Sequence, residues 1–212
     1  MKILFQGDSV TDACRDRSNP SDMGEGYPRY ASAMIQDAYA DELDFEFVNL
    51  GIGGNRTEHL VARLDSDFVD IQPDIVSIMI GINDVWHRHS HGLMTTDEDI
   101  ERNYRTVLEA IKSRTNARIL IIQPFLMESA NPNVVELREE LTRAQAIIKR
   151  LADEYADAYL PLDAILNAET EEEPTYYTGD GIHPTPNGAC YIGEAYLKAI
   201  APLIELLSKE VE

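Results

Sequence analysis

Ser9 lies in the run Gln6-Gly7-Asp8-Ser9-Val10-Thr11, directly after the apolar stretch Ile3-Leu4-Phe5. A Gly-Asp-Ser turn after a first strand sets a hydroxyl at the carboxyl edge of a sheet, where open α/β folds carry their chemistry. A serine hydroxyl is a poor nucleophile until a base takes its proton. Far downstream, Asp180-Gly181-Ile182-His183-Pro184 offers that base in His183. Asp180, three residues upstream of the histidine, can reach the far ring nitrogen and fix its tautomer. Acyl transfer also needs donors aimed at a developing oxyanion. The backbone N–H of Ser9, the backbone N–H of Gly54 and the side-chain amide of Asn83 can supply them. Of the glycines at 51, 53 and 54, Gly54 is chosen because it directly precedes the polar Asn55-Arg56-Thr57 and, lacking a Cβ, lets the backbone come close to a substrate.

Other residues near these segments have competing uses. Asp8 and Asp84 each adjoin a candidate residue, but they read as carboxylates that hold their own loops through backbone hydrogen bonds. Arg56 either binds a substrate oxygen or anchors a loop carboxylate. Trp86 is either a platform for a sugar or a cover for its loop. Residues 85–95, with His87, His89 and His91 in alternation, read as an exposed loop near the pocket mouth. In an extended segment that alternation would put three imidazoles on one side. The sequence sets no carboxylate or thiolate in evident pairing with them, so no metal site is expected. Cys14 and Cys190 lack metal spacing and read as free, inert side chains. No glycine-rich cofactor loop follows a strand, and no cofactor is expected.

The elements that must position these groups follow from periodicity. Strands are predicted over 2–6, 44–50, 74–80, 117–123 and 158–161; the runs at 76–80 and 118–122 are near-continuously apolar, as in strands covered on both faces. Amphipathic helices are predicted over 27–39, 57–69, 97–113, 134–156 and 186–207. In the first of these Tyr30, Ala33, Met34 and Ala38 share one face. Strands alternating with helices imply a parallel sheet between helix layers, with the flavodoxin-like strand order the simplest right-handed solution. The stretches 14–26, 85–95, 128–133 and 167–179 read as loops, and the acidic run Glu169-Thr170-Glu171-Glu172-Glu173 as a solvated one. All four candidate segments then converge on one edge of the sheet.

With 18 Lys and Arg against 38 Asp and Glu, the formal charge of −20 repels nucleic acid and anionic membrane surfaces. It also disfavours strongly anionic substrates. The segment Met1–Gly7 is too short for a signal-peptide core and no stretch approaches a membrane span, so a cytoplasmic location is expected.

The four segments in this order resemble the GDSL-type, or SGNH, hydrolase family. Ser9 matches its first block, Gly54 its second, Asn83 its third, and Asp180 with His183 its fifth. The first block reads Gly-Asp-Ser-Val, an apolar exchange for the leucine of the family's name. The resemblance spans nearly the whole chain. It implies an α/β fold, a three-layer α/β/α sandwich on a five-stranded parallel sheet, filling residues 1–212 as one domain. It also implies a cofactor-independent serine esterase acting on a small-molecule ester. Short-chain esters lead, acetylated carbohydrates first, since there is no long apolar lid and Trp86 and Arg56 lie beside the site. A thioesterase or lysophospholipase of the same family is the nearest rival, and a non-catalytic flavodoxin-like binding module is a rival of another class. The common α/β-hydrolase fold is disfavoured by the lack of a Gly-x-Ser-x-Gly elbow.

Overall fold

The computed structural model describes residues 1–40, 42–169 and 172–210. Thr170 and Glu171 of the acidic run lie outside the described residues. The strands are β1 (Lys2–Gly7), β2 (Glu46–Asn49), β3 (Ile75–Met79), β4 (Arg118–Ile122) and β5 (Ala158–Leu160). Among the described residues they form one five-stranded sheet of order β2-β1-β3-β4-β5, parallel at every pairing. The register sets Leu4 beside both Val48 and Val76, and Gly7 beside Met79.

Two apolar layers hold helices to the sheet. Ile3, Phe5, Leu120 and Ile122 face α2 (Tyr27–Ala38) and α9 (Pro186–Glu210) through Tyr27, Ile35, Tyr196 and Ile200. Leu4, Val76, Ile78, Ile119 and Ile121 face α3 (Thr57–Ala62), α5 (Asp97–Arg114) and α6 (Arg138–Tyr155) through Leu60, Tyr104, Leu108 and Ile148. Successive residues of a strand point to opposite faces, so an unbroken apolar run is what burial on both sides requires. Among the described residues no helix is long and apolar enough to cross a membrane.

Four sequence expectations are corrected. Only 92–95 of the loop expected over 85–95 is irregular: α4 (Ile82–His91) is a helix with Ile82, Asn83, Asp84 and Val85 buried. Its apolar stripe is Ile82, Val85 and Trp86, three and four residues apart, obscured by the polar run that follows. Gly92, with φ +63°, closes it in the left-handed conformation that ends many helices. The helix expected over 57–69 stops at Ala62 and gives way to a π-turn over Asp65–Val69. The break falls at Arg63, whose guanidinium turns in to donate to the Leu50 carbonyl (2.8 Å) and pairs with Asp67. The buried stripe of α2 is Tyr27, Ala31 and Ile35 rather than Tyr30, Ala33, Met34 and Ala38, because α9 and the sheet take the tyrosine-led face. Within the loop expected over 167–179 the chain makes a short helix, α8 (Pro174–Tyr177), started by Pro174. The remaining short helices are α1 (Ser9–Asp12) and α7 (Leu162–Ala168), and a 3₁₀ turn at Pro132–Leu137 leads into α6.

The end of β1 is packed so closely that Gly7 admits no side chain. A Cβ there would lie 2.5 Å from the Met79 carbonyl and 2.3 Å from Thr11 Oγ1. Gly7→Ala should cost roughly 1–3 kcal/mol of stability by forcing β1 and β3 apart. Urea unfolding of the two proteins checks it, and equal midpoints would refute it.

Candidate active site

The site starts where β1 ends. Asp8 caps α1, its Oδ1 accepting the Val10 N–H (3.1 Å), and Ser9 is the first residue of that helix. A residue at this position has an amide N–H with no partner inside the helix, and the positive end of the helix lies there. Chain direction and sheet order then bring the other strand-end segments to the same edge.

His183 comes from the segment between α8 and α9. Its Nε2 is 2.9 Å from Ser9 Oγ, and its Nδ1 is 2.7 Å from Asp180 Oδ2. The other oxygen of Asp180 accepts the backbone N–H groups of Ile182 (2.9 Å) and His183 (2.7 Å). Gly181, at φ +87°, makes the turn between them; a Cβ there would meet the Met127 carbonyl at 2.9 Å. Partial burial opposes ionisation of Asp180, but the hydrogen bonds from His183 and Ile182 outweigh it and hold the carboxyl far below the usual range. The bond to Asp180 in turn raises His183 above the ordinary imidazole value against its own burial, with smaller help from the charges of Asp180 and Asp8. With Asp180 ionised and accepting at Nδ1, the neutral ring presents Nε2 as an acceptor to the serine hydroxyl.

The segment after β2 makes a tight turn. Asn55 N–H donates to the Ile52 carbonyl (3.1 Å) and Gly54 sits at φ +79°. That is the third position of a type II turn, which favours glycine. Gly54 is exposed, and a Cβ on Gly53 would stand 3.8 Å from that of Ser9. Asn83, buried on α4, donates one amide hydrogen to the Asn55 carbonyl (3.0 Å), leaving its second for another acceptor. The structure therefore joins Ser9, His183 and Asp180 by direct hydrogen bonds and ties Asn83 to the loop that carries Gly54.

The neighbouring carboxylates do different work. Asp84 is fully buried and accepts from Thr57 N–H (3.0 Å) and Thr57 Oγ1 (2.7 Å), locking α4 to α3; burial pushes its pKa up to about 6. Asp8 is 1 % exposed, and burial pushes it up to about 7 against the Val10 hydrogen bond and the charge of His183. Arg56 is spent on Thr95 Oγ1 (2.9 Å) and Glu58. Trp86 lies against His183, ring centroids 6.0 Å apart, and covers that flank. The histidines do not share a side: His87 and His91 meet edge to face one helical turn apart (4.6 Å), while His89 turns to Glu140 (3.2 Å). Among the described residues no three or more His, Cys, Asp or Glu side chains are grouped to hold a metal ion. Both cysteines are free, and Cys14 lines the cleft. That cleft, about 490 Å³, opens beside Ser9 and His183 and is walled by Val10, Ala13, Pro184 and Pro186 with Arg17 and Glu25 among its polar members.

Sequence reasoning missed Thr178, Asp12 and Arg17. Thr178 Oγ1 accepts the Gly181 N–H (3.0 Å) and donates to Asp180 Oδ1 (3.3 Å), shaping the turn before His183. Asp12 and Arg17 come together only through folding, with no spacing signal between them and the second loop.

An α/β sheet edge carrying a serine, a histidine and a carboxylate in hydrogen-bonded series defines a hydrolytic class of protein. Residues 5–189 match the model of the GDSL-like lipase/acylhydrolase family, and the chain belongs to that family. It is a carboxylic ester hydrolase. It is 30% identical over 207 residues to an acetylxylan esterase of Geobacillus stearothermophilus, covering 94% of this chain and 93% of the relative. The crystal structure of an acetylxylan esterase from that organism, Axe2, superposes with a TM-score of 0.83 at 30% identity, covering 93% of this chain and 92% of the other. The structure of a GDSL-like lipase from Parabacteroides merdae superposes with a TM-score of 0.89 at 29% identity, covering 94% and 95%.

The buried carboxyl of Asp8 makes a stability prediction. Its folded pKa of about 7 lies above the ordinary carboxylate value of 3.8, so the fold favours the protonated form. The stability this contributes is complete below the ordinary range and is lost as pH rises through about 7. Asp8→Asn keeps a good helix cap without the charge. Its stability relative to the parent should therefore rise between about pH 5 and about pH 8, by no more than about 4 kcal/mol. Chemical unfolding at the two pH values measures this; a constant difference would contradict it.

Proposed function

We propose that the protein is a serine acetylesterase acting on acetylated carbohydrate, with Ser9 as nucleophile, His183 as general base and acid, and Asp180 as the group that orients His183. The observation that carries it is the unbroken series Ser9 Oγ, His183 and Asp180 at 2.9 and 2.7 Å, opening on a cleft at the carboxyl edge of the sheet. His183 Nε2 takes the hydroxyl proton as Ser9 Oγ attacks the ester carbonyl. The carbonyl oxygen becomes an oxyanion among the Ser9 N–H, the Gly54 N–H and the Asn83 amide. The protonated His183 gives its proton to the leaving alcohol, and an acetyl-serine remains. Water, deprotonated by His183, attacks that ester, and collapse of the second oxyanion releases acetate and returns the proton to Ser9. The Geobacillus relative's action on acetylated xylan supports a carbohydrate alcohol, as do the open, partly polar cleft and the small walls about the serine.

A fluorophosphonate probe should label the protein at one serine and lose that label in Ser9→Ala. An unlabelled parent, or an equally labelled variant, would reject Ser9 as nucleophile. p-Nitrophenyl acetate should be cleaved far faster than the decanoate, and acetylated xylo-oligosaccharides should release acetate; preference for the long chain would point instead to a lysophospholipase-like enzyme. The pH profile adds an independent check. The base must be neutral to act, so kcat/KM should fall as pH drops through the His183 pKa, with a midpoint above the ordinary value of about 6.5. Asp180→Asn should lower kcat on the order of a thousandfold or more and remove that upward displacement. Asp8→Asn should cost far less, and the reverse ranking would sink the assignment of Asp180.

A further inference from the structure

The Ile52–Asn55 turn has an unusual freedom at its centre. Its middle peptide joins Gly53 to Gly54, and type I and type II turns differ by reversal of that peptide. Between two glycines neither orientation is forbidden by a side chain. The reversal decides where the Gly54 N–H points, so the two ends of the turn must be held. Asn83 holds the far end through the Asn55 carbonyl, at 3.0 Å.

The near end is held by Asp12. Its Oδ2 accepts the Gly53 N–H at 2.8 Å, and the same oxygen is gripped by Arg17. Asp12 is 6% exposed, whereas the Arg17 side chain is half-exposed and lines the cleft. The rest of the loop is fastened to the same helix and to the turn that follows it. Arg15 Nε donates to the Gly51 carbonyl (2.9 Å) and lies 3.9 Å from Asp12 Oδ1. Asn49 donates to the Thr11 carbonyl (2.8 Å) and accepts from Gly51 N–H (3.0 Å). Asp12 is the last residue of the four-residue helix that begins with Ser9. One rigid turn of helix thus carries the hydroxyl at one end and the clamp on the second loop at the other.

We propose that Asp12 is a positioning residue of the esterase. Its carboxylate, neutralised by Arg17, clamps the Gly53 N–H and keeps the Gly53–Gly54 peptide in the orientation that gives the Gly54 N–H to the oxyanion. The proposal rests on the serine-esterase reading. An ionised acceptor suits the task because charge shortens and strengthens such a bond. The carboxylate stabilises the transition state only through the loop it holds, so its loss should appear in kcat rather than KM.

The test compares Asp12→Ala, which removes the acceptor, with Asp12→Asn, whose carboxamide oxygen can still accept. Rates on p-nitrophenyl acetate are expressed per fluorophosphonate-labelled serine, so misfolded protein is not counted. Asp12→Ala should lose about 10- to 100-fold in kcat with KM within about threefold, while Asp12→Asn stays within about fivefold of the parent. With only 12 glycines in the chain, selective ¹⁵N-glycine labelling gives a readout independent of turnover. The Gly53 amide should be protected from hydrogen exchange in the parent and in Asp12→Asn, and should lose that protection in Asp12→Ala. A parent whose Gly53 amide exchanges as fast as an open loop overturns the proposal without any variant. So does an Asp12→Ala protein with parental kcat per labelled serine, or one that differs in KM alone. A parent that cleaves no ester overturns the serine-esterase reading and this proposal with it; a parent that cleaves esters no faster than Asp12→Ala overturns the proposal alone.

Discussion

The Asp180 carboxylate is the fixed point from which the site is built. One oxygen gathers the backbone N–H groups of Ile182 and His183, which bends the chain at Gly181; the other meets the imidazole. A carboxylate that holds these three donors beside the Thr178 hydroxyl is expensive to protonate, which explains its depressed pKa. The same three bonds settle the ring's position, its tautomer and its distance from Ser9. Thr178 and Asn131 secure the turn from outside, the first through the Gly181 N–H and the second by donating to the Asp180 carbonyl (3.0 Å). The geometry of His183 is thus set by its own segment before Ser9 is met.

The sheet supplies the other half of the arrangement. In a parallel sheet every strand ends on the same side, so the segments after β1, β2 and β3 are neighbours whatever their separation in sequence. Strand β1 is an interior strand, flanked by β2 and β3, and its last residue is a glycine pressed against Met79. The close approach leaves the first helical turn little room to shift. Buried carboxylates then act as bolts between layers: Asp84 joins α4 to α3, and Asp12 joins α1 to the second loop.

Much of this was legible in the sequence because the signals are local. The five strands are short and built on apolar residues, and the Asp-x-x-His segment has its hydrogen bonding written into its spacing. Where local signals are weak, periodicity misleads. The helix at Ile82–His91 carries only a short apolar stripe before a run of histidine, arginine and serine, so it looked like a loop. The face of α2 depends on which stripe α9 covers, a tertiary choice that periodicity leaves open. Thr95, Leu50 and Gly53, which Arg56, Arg63 and Asp12 reach, lie on other segments and could not be found by spacing at all.

Ser9 and His183 are 174 residues apart in the chain, yet separated by one hydrogen bond. The segment bearing Ser9 precedes its partner in synthesis by all but the first of the five strands. Until the His183 segment is in place the Ser9 hydroxyl lacks its imidazole neighbour. Closing so long a loop costs entropy that only the finished core can offset. The Ser9–His183 contact therefore exists only where the segment after β1 and the segment before α9, 174 residues apart, have been brought together.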